Sequence, residues 1–123
     1  TIHANTPRDS LARLENMVGM AGLNLPHQAA RQQIASAITV IVQVLRLTDG
    51  KRKITSIQEI TGMEGDVVTM QEIFAFTQTG VGAGGEVQGY FHATGVRPKF
   101  ADRLKGFGIA LPDSIFAPER HYQ

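Results

Sequence analysis

The sequence of 123 residues contains no cysteine, so disulfide bridges and thiolate metal sites are excluded. No apolar run approaches the roughly 18 residues that a membrane-spanning helix requires. The opening residues are polar and lack the charged-then-apolar layout of a signal peptide, so none is expected there. Excess charge is missing too. Twelve basic and eleven acidic residues leave a formal net charge of +1, which gives no general reason to expect nucleic acid or acidic lipid as a partner. What is present is ordinary for one globular domain, with 42% hydrophobic and 19% charged residues. A cytoplasmic setting fits this composition.

The chain starts with Thr1 rather than Met and opens Thr1-Ile2-His3-Ala4-Asn5, which reads as the end of a strand with nothing before it. We therefore expect a segment of a longer protein. A helix over about 7–21 follows. Thr6 can cap it, Pro7 fits its first position and Asp9 suits its positive end. Leu11, Leu14, Val18 and Ala21 recur at helical spacing, and Asp9 and Arg13 can pair on the solvent side. A second helix is expected over about 26–37, burying Ala30, Ile34, Ala37 and Ile38, with Arg31 facing elsewhere.

The period then changes. Over about 39–47, Val40, Val42 and Val44 fall on one face and Ile41 and Leu45 on the other. A strand apolar on both faces predicts a central strand covered twice. Asp49-Gly50 supplies a turn, and further strands are expected over about 53–62, 67–76 and 87–93. In the first of these, Ile54 and Ile60 are opposed by Thr55 and Glu59. The strands form an antiparallel meander, followed by a helix over about 98–105 and a tail over 112–123 whose last residues should fray.

Several motifs are decoys. Gly80-Val81-Gly82-Ala83-Gly84-Gly85 satisfies G-x-G-x-x-G, but Glu86-Val87-Gln88-Gly89 does not begin the helix that a dinucleotide-dependent oxidoreductase needs. Gly50-Lys51 lacks the rest of a phosphate loop, since Leu45 replaces the first glycine and Arg52 the hydroxyl residue. His3, His27, His92 and His121 show no metal-ligand spacing, and no zinc site is expected. Arg97, Lys99, Arg103 and Lys105 form a basic cluster, read as a solvated face or a docking surface for an acidic neighbour. His3 and Asn5 stand in a loop at a strand end, where open α/β sheets bind ligands.

The run T-I-H-A-N-T-P-R-D-S-L-A-R-L-E-N-M-V resembles the histidine box of the type II/IV secretion ATPases, in particular the tight-adherence (Flp) pilus assembly, CpaF-like branch. Arg31 to Ala37, Val40 to Val44 with Arg46, and Asp49 to Arg52 extend the likeness. Glu59, Gly62 to Asp66, and Phe91 to Gly95 leading to Pro98 extend it further. It covers most of residues 1–111 and is weaker in the Gly80 to Gly89 loop and after Pro112.

The resemblance implies an α/β fold, the C-terminal part of a RecA-like P-loop ATPase domain. It implies that ATP and Mg²⁺ are bound by the intact protein and that its subunits form a hexameric ring. The ring would sit in the cytoplasm, peripheral to the bacterial inner membrane, working with secretion or pilus platform proteins. His3 would sense nucleotide near the γ-phosphate and Asn5 would support its loop. The phosphate loop and Walker B strand precede the histidine box in that family and are absent from residues 1–123. The segment alone is therefore expected to bind no cofactor and to hydrolyse no ATP. It is also expected to self-associate through uncovered apolar surface. The alternative is a stand-alone interaction module using a sheet edge or the basic C-terminal helix.

Overall fold

The computed structural model describes residues 1–22 and 24–122. Helix α1 spans Pro7–Met20, with the Thr6 hydroxyl accepting the Asp9 N–H at 3.0 Å. Leu11 is buried, Leu14 and Val18 are half-buried and Ala21 is exposed. Helix α2 spans His27–Ala37 and buries Ala30, while Ala37 is exposed. Five strands follow: β1 Val40–Arg46, β2 Arg52–Glu64, β3 Val67–Val81, β4 Val87–Ala93 and β5 His121–Tyr122. Between β4 and β5 lie α3, Phe100–Lys105, and a 3₁₀ turn, Asp113–Phe116. The described residues are thus α/β, with three helices and one antiparallel sheet in the order β1-β2-β3-β4-β5.

Strands β2 and β3 run past their expected ends at Gly62 and Phe76. Their register shifts between Ile60 and Gly62 and between Gln78 and Gly80, so each glycine sits at a bulge instead of stopping its strand. Gly62 has φ +141°, which glycine adopts without Cβ strain.

Two layers cover the sheet. Leu11 of α1 packs with Ile60 and Val68, joined by Ile34, Ile38 and Ile41. On the C-terminal side, Ile73, Ala101 and Phe116 form a second cluster. These layers lie on opposite faces. Val40 is in register with Glu59, whose carboxylate reaches α3, whereas its neighbour Ile41 belongs to the helix-pair cluster.

The strand expected to be central, β1, stands at one end of the sheet among the described residues. Its Ile41 face is covered, but Val42 and Val44 are each 50% exposed. Alternation reports which faces are apolar and carries no information on lateral neighbours. The tail also differs from expectation. Phe116 is buried, β5 pairs with β4, and the Tyr122 hydroxyl donates to the Ile115 carbonyl at 2.7 Å. Two paired residues are too few to leave a periodic signal. Gln123 lies outside the described residues. Among the described residues, no helix is long and apolar enough to cross a membrane.

Candidate functional site

The segment Thr1–Asn5 is irregular and ends at the Thr6 cap of α1. Two side chains hold its backbone. Arg13 of α1 donates to the His3 carbonyl at 2.9 Å, and Gln43 of β1 donates to the Ala4 carbonyl at 3.1 Å. Gln43 is only 8% exposed, so this amide would be costly to leave unpaired. The expected Asp9–Arg13 pair is absent among the described residues, because the guanidinium turns back to His3. The imidazole of His3 is exposed and has no hydrogen-bond partner among the described residues. It opens with Asn5, Asp9 and Arg13 on a shallow cavity of about 430 Å³. The geometry is a main-chain clamp that leaves a ring free to meet something presented from outside.

The other expected motifs fall elsewhere. Gly80 to Gly85 closes the β3–β4 hairpin, with Gly82 donating to the Glu86 carbonyl at 2.8 Å, and a strand follows instead of a helix. The oxidoreductase reading fails on that geometry. Asp49-Gly50 turns β1 into β2, with Gly50 at φ +82°. One Asp49 carboxylate oxygen accepts the Val87 N–H at 2.9 Å and the other the Lys51 N–H at 3.0 Å. These bonds, that from Val87 foremost, hold its carboxyl below the usual carboxylate range.

His92 engages both ring nitrogens. Its Nδ1 donates to the Ala93 carbonyl at 3.0 Å, so Nε2 accepts from the Thr77 hydroxyl at 2.8 Å in the neutral ring. His121 stacks on Tyr90 at 4.1 Å. The basic cluster around α3 is partly neutralised: Arg97 pairs with Asp113, and Lys105 lies 3.9 Å from Asp102.

Three polar residues matter more than their place in the sequence indicates. Gln43 is the polar exception in the apolar run Val40 to Leu45, and a lone amide there is the signal that a main-chain partner must exist. Arg31, expected to face away, donates to Glu15 at 3.0 Å and to the Asp66 carbonyl at 3.1 Å, tying α1, α2 and the β2–β3 turn together. The Arg31 hydrogen bond holds the Glu15 carboxyl low against a partial desolvation, helped by His27 at 2.7 Å. Glu59 is 3% exposed, and its two oxygens accept the N–H groups of Lys99 and Phe100 at 2.9 and 2.8 Å. It therefore caps α3 from the sheet beneath.

Fold and site together define an α/β protein whose antiparallel meander pins a histidine-bearing loop beside a helix N-terminus. No family model matches the chain. Over 67 residues, 54% of its length, the chain is 34% identical to two proteins of Mycobacterium tuberculosis, from strains CDC 1551 and H37Rv. Each bears the name "Putative conjugal transfer protein". The match covers 18% of the length of either relative.

Proposed function

We propose that the chain is the C-terminal part of the ATPase domain of a secretion or pilus-assembly motor of the tight-adherence, CpaF-like kind. Its work there is nucleotide sensing, ring assembly and coupling. The observation that carries this reading is the clamped Thr1–Asn5 loop, which immobilises the backbone of His3 and leaves its imidazole unengaged. The partial likeness to proteins named for conjugal transfer supports a secretion-related setting.

On this reading the nucleotide site is completed by elements outside residues 1–123. The cavity beside His3 offers no cradle of glycine amides, Asp9 lines it, and the Asp9 N–H at the start of α1 is taken by Thr6. ATP and Mg²⁺ would be held by elements of the intact, hexameric protein outside this segment. The role left to His3 is one hydrogen bond to a phosphate oxygen, with Asn5 beside it. The internal pairing of Arg97 and Lys105 weakens the alternative in which the C-terminal helix docks a partner.

In the intact protein, His3→Ala should slow steady-state ATP turnover more than it weakens nucleotide binding, and an unchanged rate would refute the sensing role. Calorimetry of the 123-residue chain with MgATP should show no binding. A dissociation constant in the millimolar range or tighter would show a phosphate site that this reading lacks.

A further inference from the structure

Gln43 is the one polar residue between Val40 and Leu45, and at 8% exposure it is buried. Apolar burial is non-directional, so a leucine there would hold β1 as well, without the cost of desolvating an amide. A hydrogen bond differs in fixing the orientation of its partner. The Gln43 bond does not run across the strand pair. Ser56, its register partner on β2, donates to Glu72 at 2.6 Å, while the Gln43 amide leaves the sheet and donates to the Ala4 carbonyl at 3.1 Å. Both partners lie within the described residues, so the tie is internal to the chain and needs no occupant of any outer surface.

The effect on the loop follows from peptide planarity. The His3 Cα, the His3 carbonyl and the Ala4 N–H share one plane, and the Ala4 carbonyl shares the next with the Asn5 N–H. Arg13 of α1 holds the first plane and Gln43 of β1 holds the second. With both planes held, the dihedrals of Ala4 between them are set. The His3 Cα then stands at one place, and rotation of its side chain is the freedom that remains. Of the two anchors Arg13 is exposed on a long stem, whereas Gln43 is short and buried. Gln43 is the firmer of the two.

We propose that Gln43 is a positioning residue for His3. Through the Ala4 carbonyl it fixes where the imidazole stands when nucleotide arrives, and it touches no nucleotide itself. The inference rests on the sensing role proposed for His3. A group displaced by about 1 Å from its working position can cost about a hundredfold in rate, so a lost anchor should be felt in turnover before it is felt in binding.

The test replaces Gln43 with Met, which is close in length and has no donor. The cavity of about 420 Å³ that Gln43 lines is walled in part by Ile2, Leu14, Ile38 and the valines of β1, a setting that suits a thioether. Gln43→Leu serves as a second variant. In the intact protein Gln43→Met should lower kcat for ATP about tenfold and leave KM within about twofold. Combined with His3→Ala it should add nothing, the double variant staying within about twofold of the slower single one, because Gln43 acts only through His3. A merely structural tie would give losses that multiply. In the 123-residue chain, nitrogen relaxation should show the order parameter of the Asn5 amide falling from about 0.85 to below about 0.6, with a smaller change at Ala4, whose plane Arg13 keeps. Unchanged turnover in both Gln43 variants beside a slowed His3→Ala would overturn the positioning role alone. So would multiplying losses in the double variant, or an Asn5 amide that stays rigid. Unchanged turnover in His3→Ala would overturn the sensing role and this inference with it.

Discussion

Replacing Glu59 with alanine would remove the acceptor for the N–H groups of Lys99, the residue just before α3, and Phe100, its first residue. Both bonds end on a side chain that is 3% exposed, so water cannot readily take its place. Losing a helix cap costs about 0.5–2 kcal/mol. Leaving a buried donor unsatisfied costs about 1–3 kcal/mol. Two part-buried N–H groups lose their acceptor, at about 1–2 kcal/mol each, so we expect Glu59→Ala to destabilise the protein by about 2–4 kcal/mol. For a chain of this size that corresponds to a fall in Tm of roughly 8–15 °C. Glu59→Gln keeps one carbonyl acceptor and should cost about 1–2 kcal/mol.

Urea melts followed by circular dichroism give the free energies. Hydrogen exchange at Lys99 and Phe100 locates the loss, which should appear at those amides in Glu59→Ala before the rest of the sheet opens. A Glu59→Ala protein within about 0.5 kcal/mol of the parent would refute the buried-cap assignment. Equal effects of Gln and Ala would refute the view that acceptor capacity matters.

Asp49 predicts a pH dependence. Its folded carboxyl titrates below the ordinary value near 3.9, so its contribution is complete above that value and is lost as pH falls through the folded pKa. The gap in urea midpoint between the parent and Asp49→Asn should therefore be largest near neutral pH and shrink toward pH 3, and a constant gap would refute it. Gly89 predicts a steric limit. An added Cβ would lie 2.6 Å from Phe76 Cζ and closer still to the Thr77 carbonyl oxygen of β3. Gly89→Ala should cost about 1–3 kcal/mol in urea melts, and a neutral result would show that β3 yields more easily than a paired strand should.

Local chemistry was legible in the sequence and long-range placement was not. The start of α1 could be read because Thr6, Pro7 and Asp9 act within one turn. The Asp49-Gly50 turn could be read because a positive φ has a residue signature. Glu59 was set against Ile60 as the polar side of an alternating strand, yet the layer that buries it begins about 40 residues later, at Lys99. Val40, Val42 and Val44 showed their apolarity plainly, but the place of β1 at one end of the strand order among the described residues depends on long-range pairing. The candidate site divides the same way. His3 and Asn5 were found by position in a loop, whereas the clamp from Gln43 spans 39 residues and leaves only one lone polar letter as a trace.

The order of the strands along the sheet is their order along the chain. Every ladder therefore joins segments adjacent in sequence, through hairpin turns or, for β5, one longer return. Among the described residues such a sheet requires no crossover to thread and can zip outward from the long β2–β3 hairpin. Within the described residues each strand from β2 to β4 can pair with the one before it, and β5 joins only after the longer return. The apolar stretch from Val40 to Leu45 would thus be paired early, at the stage when an unpaired strand is most prone to aggregate.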